Sequence, residues 1–196
     1  MEHEKARRIL NYTVSYLSLE MNNVKFFENA PSDDAIFLLQ AIAPTSSYFL
    51  YLYKEVGRKY EWTDWLRSER KMLESFLTDE NVFLYSLILQ GEPKGFFVLD
   101  SRRLPICDLA YFGLFDDVTG KGLGKVMMNR VFEAVIAQGN VKTLTVNTNT
   151  LDHKSALPLY QKAGFNIYKT ESHKSCLLYT SPSPRDATLS RMPSSA

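Results

Sequence analysis

Residues 116–125 read Asp116-Asp117-Val118-Thr119-Gly120-Lys121-Gly122-Leu123-Gly124-Lys125, between an apolar run from Pro105 to Phe115 and an amphipathic segment from Leu123 to Gly139. Three glycines at every second position let the backbone approach a ligand and turn successive N–H groups one way. A helix starting at the same point adds unpaired donors and the positive end of its dipole. Together these predict a phosphate or pyrophosphate site. Lys121 and Lys125 add positive charge, and Asp116 and Asp117 are expected to face away from the anion. Two commoner phosphate loops do not fit. A Walker loop needs four residues between its glycines and a hydroxyl after its lysine, whereas Gly120 and Gly124 enclose three and Val126 follows Lys125. A dinucleotide G-x-G-x-x-G fails at the third glycine. A tight turn without a ligand would explain one glycine but poorly explains three.

Working outward, Leu123, Val126, Met127, Val131, Ala134 and Val135 form the apolar stripe of the strongest helix, and Gly139 is its natural stop. Lys142 to Thr150 alternates as a strand. Asp152 to Ala163 is a short helix ended by Gly164, with Asp152 as its expected cap. Phe165 to about Glu171 is a last strand. On the N-terminal side, Asn81 to Gln90 and Lys94 to Asp100 flank Gly91-Glu92-Pro93 as a hairpin, and Pro105 to Phe115 follows as a third strand. Asn11 to Met21 alternates as a strand. Ala35 to Ala43 reads as helical up to Pro44, with Ser32 or Asp33 as its start. Ser46 to about Lys59 and Thr63 to Leu77 read as two more helices, the latter capped by Thr63 or Asp64. The order carried forward is β-α-α-β-β-β-α-β-α-β, an α/β chain with a mixed sheet.

Two blocks together carry a family resemblance. The start of the long helix, Thr119-Gly120-Lys121-Gly122-Leu123-Gly124, resembles the coenzyme-A loop of the GNAT superfamily of N-acetyltransferases, with Thr119 where Arg or Gln is usual. The segment ALPLYQKAGF, Ala156 to Phe165, is similar to that superfamily's A-x-x-x-Y-x-x-x-G-F signature. The resemblance covers about Asn11 to Ser175, with specific motifs only between Ala110 and Phe165. It implies an acyl-CoA N-acyltransferase fold whose central sheet is splayed. The strands ending at Leu114 and Asn149 would part at their C-terminal ends, and pantetheine would enter the gap. Gly120, Lys121, Gly122, Leu123, Gly124 and Lys125 would hold the pyrophosphate, with Thr119 at the loop's start. Phe112, Gly113 and Leu114 would supply main-chain hydrogen bonds, the Leu114 N–H aimed at the thioester oxygen.

The resemblance assigns Tyr160 as the acid that protonates the departing sulfur. By pattern alone Tyr160 is a core aromatic in a stripe with Ala156 and Leu159. Asp108, acidic in an apolar strand, is the candidate for proton removal, or else an exposed strand residue. His153 stands where many members have Asn, and could bond pantetheine or substrate, or else face solvent. Tyr48, Phe49, Tyr51, Tyr53, Tyr60, Trp62 and Trp65 crowd the two-helix region that covers the acceptor site in the family. Some of these rings are expected to bind an amine by cation–π contact, while core packing suits Phe49 and Tyr53 better. The expected activity is acetyl transfer from acetyl-CoA to a primary amine in a ternary complex, with no metal. The alternative is a degenerate acyl-CoA-binding or sensing module.

Composition sets the bounds. The chain has 196 residues, 45% hydrophobic and 23% charged, with a formal net charge of +1. That is an ordinary globular composition, without the charge that nucleic acid or an anionic membrane would call for. Its apolar runs are too short to span a bilayer, and Met1 to Arg8 lead into no secretory core. Cys107 and Cys176 make neither a disulfide framework nor a metal site. A cytoplasmic monomer or homodimer is expected, with no nucleic-acid or membrane partner. From Cys176 to Ala196 (CLLYTSPSPRDATLSRMPSSA) the periodicity is lost and proline and serine accumulate. Residues 1–175 are therefore read as the domain and 176–196 as a disordered tail resembling translated adapter sequence. With that tail set aside, the strand that usually lies beside the Phe165 strand would be missing, leaving an open sheet edge.

Overall fold

The computed structural model describes residues 6–31 and 36–179. In chain order the elements are β1 (Ala6–Glu20), β2 (Ile36–Ala41), α1 (Ser46–Gly57), α2 (Asp64–Arg67), α3 (Arg70–Leu77), β3 (Val82–Leu89), β4 (Glu92–Arg103), β5 (Ile106–Leu114), α4 (Leu123–Gln138), β6 (Thr143–Asn149), α5 (Ala156–Lys162) and β7 (Asn166–Tyr179). The strands form one mixed sheet in the order β2-β3-β4-β5-β6-β1-β7, antiparallel except for β5 with β6. This is the splayed acyl-CoA N-acyltransferase arrangement that the motifs imply.

The hairpin forms as expected, but its turn is Gln90-Gly91, both left-handed at φ 53° and 87°, with Glu92 and Pro93 already in β4. A two-residue turn of this hand matches the twist of paired strands. In α1 the Thr45 hydroxyl accepts the Tyr48 N–H at 3.2 Å, and Phe49, Leu52, Tyr53 and Val56 are buried on one face. In α4 the stripe holds: Leu123, Val126, Met127, Val131 and Val135 are buried, joined by Met128 and Phe132. Phe49 and Trp62 pack against Tyr111 of β5, whereas Tyr160 packs against the neighbouring Phe112. Successive residues of a strand point to opposite faces. So α1 and its following loop cover one face of the sheet, and α5 covers the other.

Four expectations need correction. Residues 36–41 form a strand, not a helix, paired with β3 from Ile36↔Leu89 to Ala41↔Leu84. A short continuous apolar run has no period to separate the two, and pairing at the sheet edge decided it. The proposed start at Ser32 or Asp33 lies outside the described residues. The helix expected over Thr63–Leu77 breaks at Ser68, extended at ψ 153°, into α2 and α3, and Thr63 makes no capping bond. β7 runs on past Glu171 to Tyr179, so its last four residues cross the point where the tail was expected to begin. They pair with Ala6–Ile9 of β1. Residues 180–196 lie outside the described residues. Finally, one side of β7 is paired, while its other side forms the edge of the sheet. The N-terminal β1 lies between β6 and β7 and pairs with both, Val14↔Asn149 through Glu20↔Thr143 on one side and Ala6↔Tyr179 through Ser18↔Asn166 on the other. The strand expected from the C-terminus is supplied by the N-terminus.

Candidate active site

The parallel pairing of β5 and β6 stops early. Only Ile106↔Thr143, Cys107↔Leu144 and Asp108↔Thr145 are partners, after which both strands continue apart. Just beyond Asp108 the β4–β5 register shifts: Leu99 opposes Leu109 and Val98 opposes Tyr111, so Ala110 is an extra residue. Such a bulge bends and twists its strand, and here it turns β5 away from β6. The gap opens into a cavity of about 910 Å³.

One end of the cavity is the glycine loop. Gly120 and Gly122 are left-handed at φ 78° and 81°, and Gly122 is the cap residue of α4. A Cβ on Gly120 would meet nothing within 4 Å, and one on Gly124 would meet only Leu159, at 3.5 Å. At Gly124, therefore, the fold itself does not need a bare position, whereas the left-handed backbone of Gly120 favours glycine by itself. Main-chain bonding ends with Thr119 N–H to Asp116 O at 3.3 Å and resumes with Lys125 N–H to Gly122 O at 3.0 Å. Between them, Gly120 to Gly124 present N–H groups that have no partner among the described residues. Asp116 and Asp117 do turn away: Lys59 and Lys94 each hold one carboxylate at 2.7 Å. The Thr119 hydroxyl donates to Asp116 O at 2.9 Å, so it braces the turn while the residue lines the cavity. Lys125 lines the cavity. Lys121 is exposed and stands outside the lining, and the Leu123 side chain is buried in the core, leaving only its main chain for a ligand.

Phe112, Gly113 and Leu114 form one wall. Phe115 donates to Lys94 O at 2.8 Å, toward β4. By the alternation of a strand the Leu114 N–H points the other way, into the gap. Gly113 is bare for a packing reason, since its Cβ would fall 2.2 Å from Val56. Tyr160 is 4% exposed, lies edge-on to Phe112 and Phe165, and lines the cavity. Its hydroxyl has no protein partner among the described residues. Burial, with a smaller contribution from Asp152, holds the phenol above its ordinary value. It therefore stays protonated and can act as a proton donor.

His153 lines the cavity from the loop after β6. Its Nδ1 accepts the Ser155 N–H at 3.2 Å, which places the neutral ring's proton on Nε2. The structure does not bring Asp108 to the cavity. It sits on the paired stretch of β5, facing Asp100 across the strands, with its carboxylate accepting from the Thr145 hydroxyl at 2.6 Å. Burial is the main cause raising its pKa. An acidic residue in an apolar strand lies here outside the cavity lining and is met by a hydroxyl. Asp152 is not a helix cap either. α5 begins at Ala156, with Ser155 in the cap position. The Asp152 carboxylate instead accepts from Thr148, Asn149 and the Trp62 indole.

A second part of the lining is an aromatic wall. Of the seven rings expected there, Tyr53, Tyr60 and Trp62 line the cavity. Tyr48 is bonded to Ser86, Phe49 is core, Tyr51 packs on Phe115, and Trp65 lies behind the wall, donating to Tyr111 Oη at 2.6 Å. The structure adds Tyr12, Glu61, Asp64, Arg67 and Tyr111. Tyr12 arrives from β1, whose place in the sheet no local pattern announces. Glu61 sits at φ 58° in a loop whose course no turn residue marks. The Tyr-Glu-Trp-Thr-Asp run itself, 60–64, was the available signal, because acidic residues interleaved with rings suit a cationic ligand.

Comparison with known proteins follows the same line. Residues 43–165 match the profile of the Acetyltransferase (GNAT) family. No curated protein sequence matches. A tandem GNAT protein from the clavulanic acid biosynthesis pathway superposes with TM-score 0.61 at 11% identity, covering 85% of this chain and 53% of its own. A GNAT family acetyltransferase from Elizabethkingia anophelis with acetyl-CoA bound gives 0.51 at 20% identity, covering 70% and 80%. An aminoglycoside acetyltransferase from an uncultured soil metagenomic sample gives 0.57 at 14%, covering 76% and 99%. At these identities the likeness is one of fold. The chain spans about half to three fifths of the length of the first structures it matches.

Proposed function

Because the chain belongs to the GNAT acetyltransferase family, we propose that it transfers the acetyl group of acetyl-CoA to a primary amine by direct attack in a ternary complex. Acetyl-CoA supplies the acetyl group as a thioester. The observation that carries the reading is one cavity lined by the glycine loop with its unpaired main-chain donors, by an acid-bearing aromatic wall and by Tyr160.

Each residue then has a task. The amides of Gly120 to Gly124 and the start of α4 bind the diphosphate, with Lys125 adding charge. The Leu114 N–H, already turned into the gap, stabilises negative charge on a carbonyl oxygen as the amine adds. Bond formation from nitrogen to carbon and loss of the carbon–sulfur bond leave a proton to be shed by nitrogen and one to be gained by sulfur. Tyr160 is placed to give the second. With Asp108 out of reach, the proton on nitrogen leaves by His153 or by water. An amine must be neutral to attack, although its ordinary pKa is about 10.4. The rings of Tyr60 and Trp62, with Glu61 and Asp64, suit capture of the cationic form before that proton is lost. Arg67 is the one cation among residues 60–67 of the wall.

Thiol release from acetyl-CoA, measured across a panel of amines, tests the reading. Amine-dependent release with mass gain on the amine is the expected result. Coenzyme binding without transfer to any amine would favour the sensing module instead.

A further inference from the structure

Among the described residues, Asp152 is the cavity-lining carboxylate whose hydrogen bonds reach both halves of the cavity. Its Oδ2 accepts the Thr148 hydroxyl at 2.8 Å and the Asn149 N–H at 2.9 Å, at the end of β6 and the lip of the coenzyme gap. Those two bonds alone would close the loop after β6. Its Oδ1 does something a loop closure does not need: it accepts the Trp62 indole N–H at 3.2 Å, from a loop ninety residues earlier. Trp62 has little freedom of its own. A Cβ on Gly57 would lie 2.4 Å from the Trp62 Cβ, so the indole is seated against the last turn of α1. The N–H groups of Tyr60 and Trp62 both donate to Gly57 O, at 2.9 and 3.2 Å, and the indole packs on Tyr53 and Tyr111 at 5.5 and 5.6 Å. Between these two anchored neighbours Glu61 is held left-handed.

We propose that Asp152 is a positioning residue that ties the acceptor wall to the coenzyme lip of β6 through Trp62. What the tie serves rests on the acetyl-transfer reading: it sets the wall's distance from the gap and passes any movement of the lip to the rings. Two acceptor oxygens are required. Asparagine offers one, which suffices for the two nearer donors at the lip, at 2.8 and 2.9 Å, and leaves the indole facing a donor NH2 group.

The full chain has two tryptophans, so a ¹⁵N-labelled sample gives two indole N–H signals, assigned by Trp62→Phe. In the parent protein the Trp62 indole proton exchanges slowly with water and its signal shifts when acetyl-CoA is added. In Asp152→Asn its exchange speeds by at least about tenfold, as a broken hydrogen bond to a charged acceptor requires. The variant binds acetyl-CoA within about threefold of the parent by calorimetry, but the Trp62 signal no longer responds. An unchanged Trp62 signal and response in Asp152→Asn would overturn the proposal. So would a loss of acetyl-CoA affinity in step with the loss of response, because Asp152 would then serve the coenzyme loop alone. Should Asp152→Asn not fold, Trp62→Phe decides: the amide signals of residues 60–63 stop responding to acetyl-CoA while that of Asn149 still does, and a full response at both sites contradicts the tie. If the parent binds no acetyl-CoA, the acetyl-transfer reading fails, and the exchange rate of the indole still tests the tie.

Discussion

Both ends of the cavity use left-handed backbone, and they obtain it in different ways. At the donor end the left-handed residues are Gly120 and Gly122, for which that region costs nothing. At the acceptor end the left-handed residue is Glu61, whose Cβ makes the same conformation cost about 1–2 kcal/mol. A bare backbone suits a ligand gripped by main-chain N–H groups. A strained residue that keeps its side chain suits a ligand read by that side chain. On the proposed function, the donor end would hold an invariant diphosphate and the acceptor end would select the amine.

If the two ends divide the work in this way, each can be damaged without the other. The largest effect is expected between them. Tyr160→Phe should lower kcat by about 10²–10³-fold, within the range for a lost general acid, while acetyl-CoA affinity by calorimetry stays unchanged. Since burial raises this phenol, the rate should show no alkaline decline from Tyr160 below its ordinary pKa of 10.0. A fully active variant would remove the acid from the account. Next, Gly124→Leu should weaken acetyl-CoA at least tenfold, about 1.4 kcal/mol. A Cβ there meets only an ordinary contact with Leu159, and leucine is a better helix former than glycine, so its Tm should not fall. Equal affinity in parent and variant would break the donor half of the comparison.

Much of the donor end was legible because its parts are consecutive. The x-G-x-G-x-G loop, the long amphipathic helix and the Tyr160 segment each carry their meaning within a few residues. The acceptor end is assembled from β1, the α1–α2 loop, β5 and the loop after β6. Tyr12 comes from a strand whose slot between β6 and β7 is fixed by pairing over more than a hundred residues, and pairing of that range leaves no local period. Asp108 misled for the opposite reason. A single acidic residue in an apolar strand reads the same whether it faces a substrate or, as here, a threonine and a second aspartate.

Two smaller effects sharpen the contrast. Glu61→Gly should raise stability by about 1 kcal/mol, by relieving the left-handed strain, and raise the KM for the amine several-fold with little change for acetyl-CoA. Loss of stability on that change would deny the strain. Asp108→Asn should leave the acetylation rate within about threefold, which kinetics can check directly. Its stability effect has a definite sign. Burial raises the folded-state pKa of Asp108 above its ordinary value of 3.8, so the folded form holds its proton more tightly than the unfolded form. Stability from this group is therefore full below that value and declines as pH rises through the folded pKa. The neutral variant escapes that decline, so its Tm advantage should grow with pH and vanish in acid.

The central claim is that main-chain amides, not side chains, hold the coenzyme's diphosphate. Backbone ¹H–¹⁵N spectra recorded during an acetyl-CoA titration test it most directly. The amides of Gly120, Gly122 and Gly124 are predicted to shift farther than those of residues 60–67, and coenzyme A without the acetyl group should move them equally. Glycine amides that stay in place while acetyl-CoA binds would contradict the account.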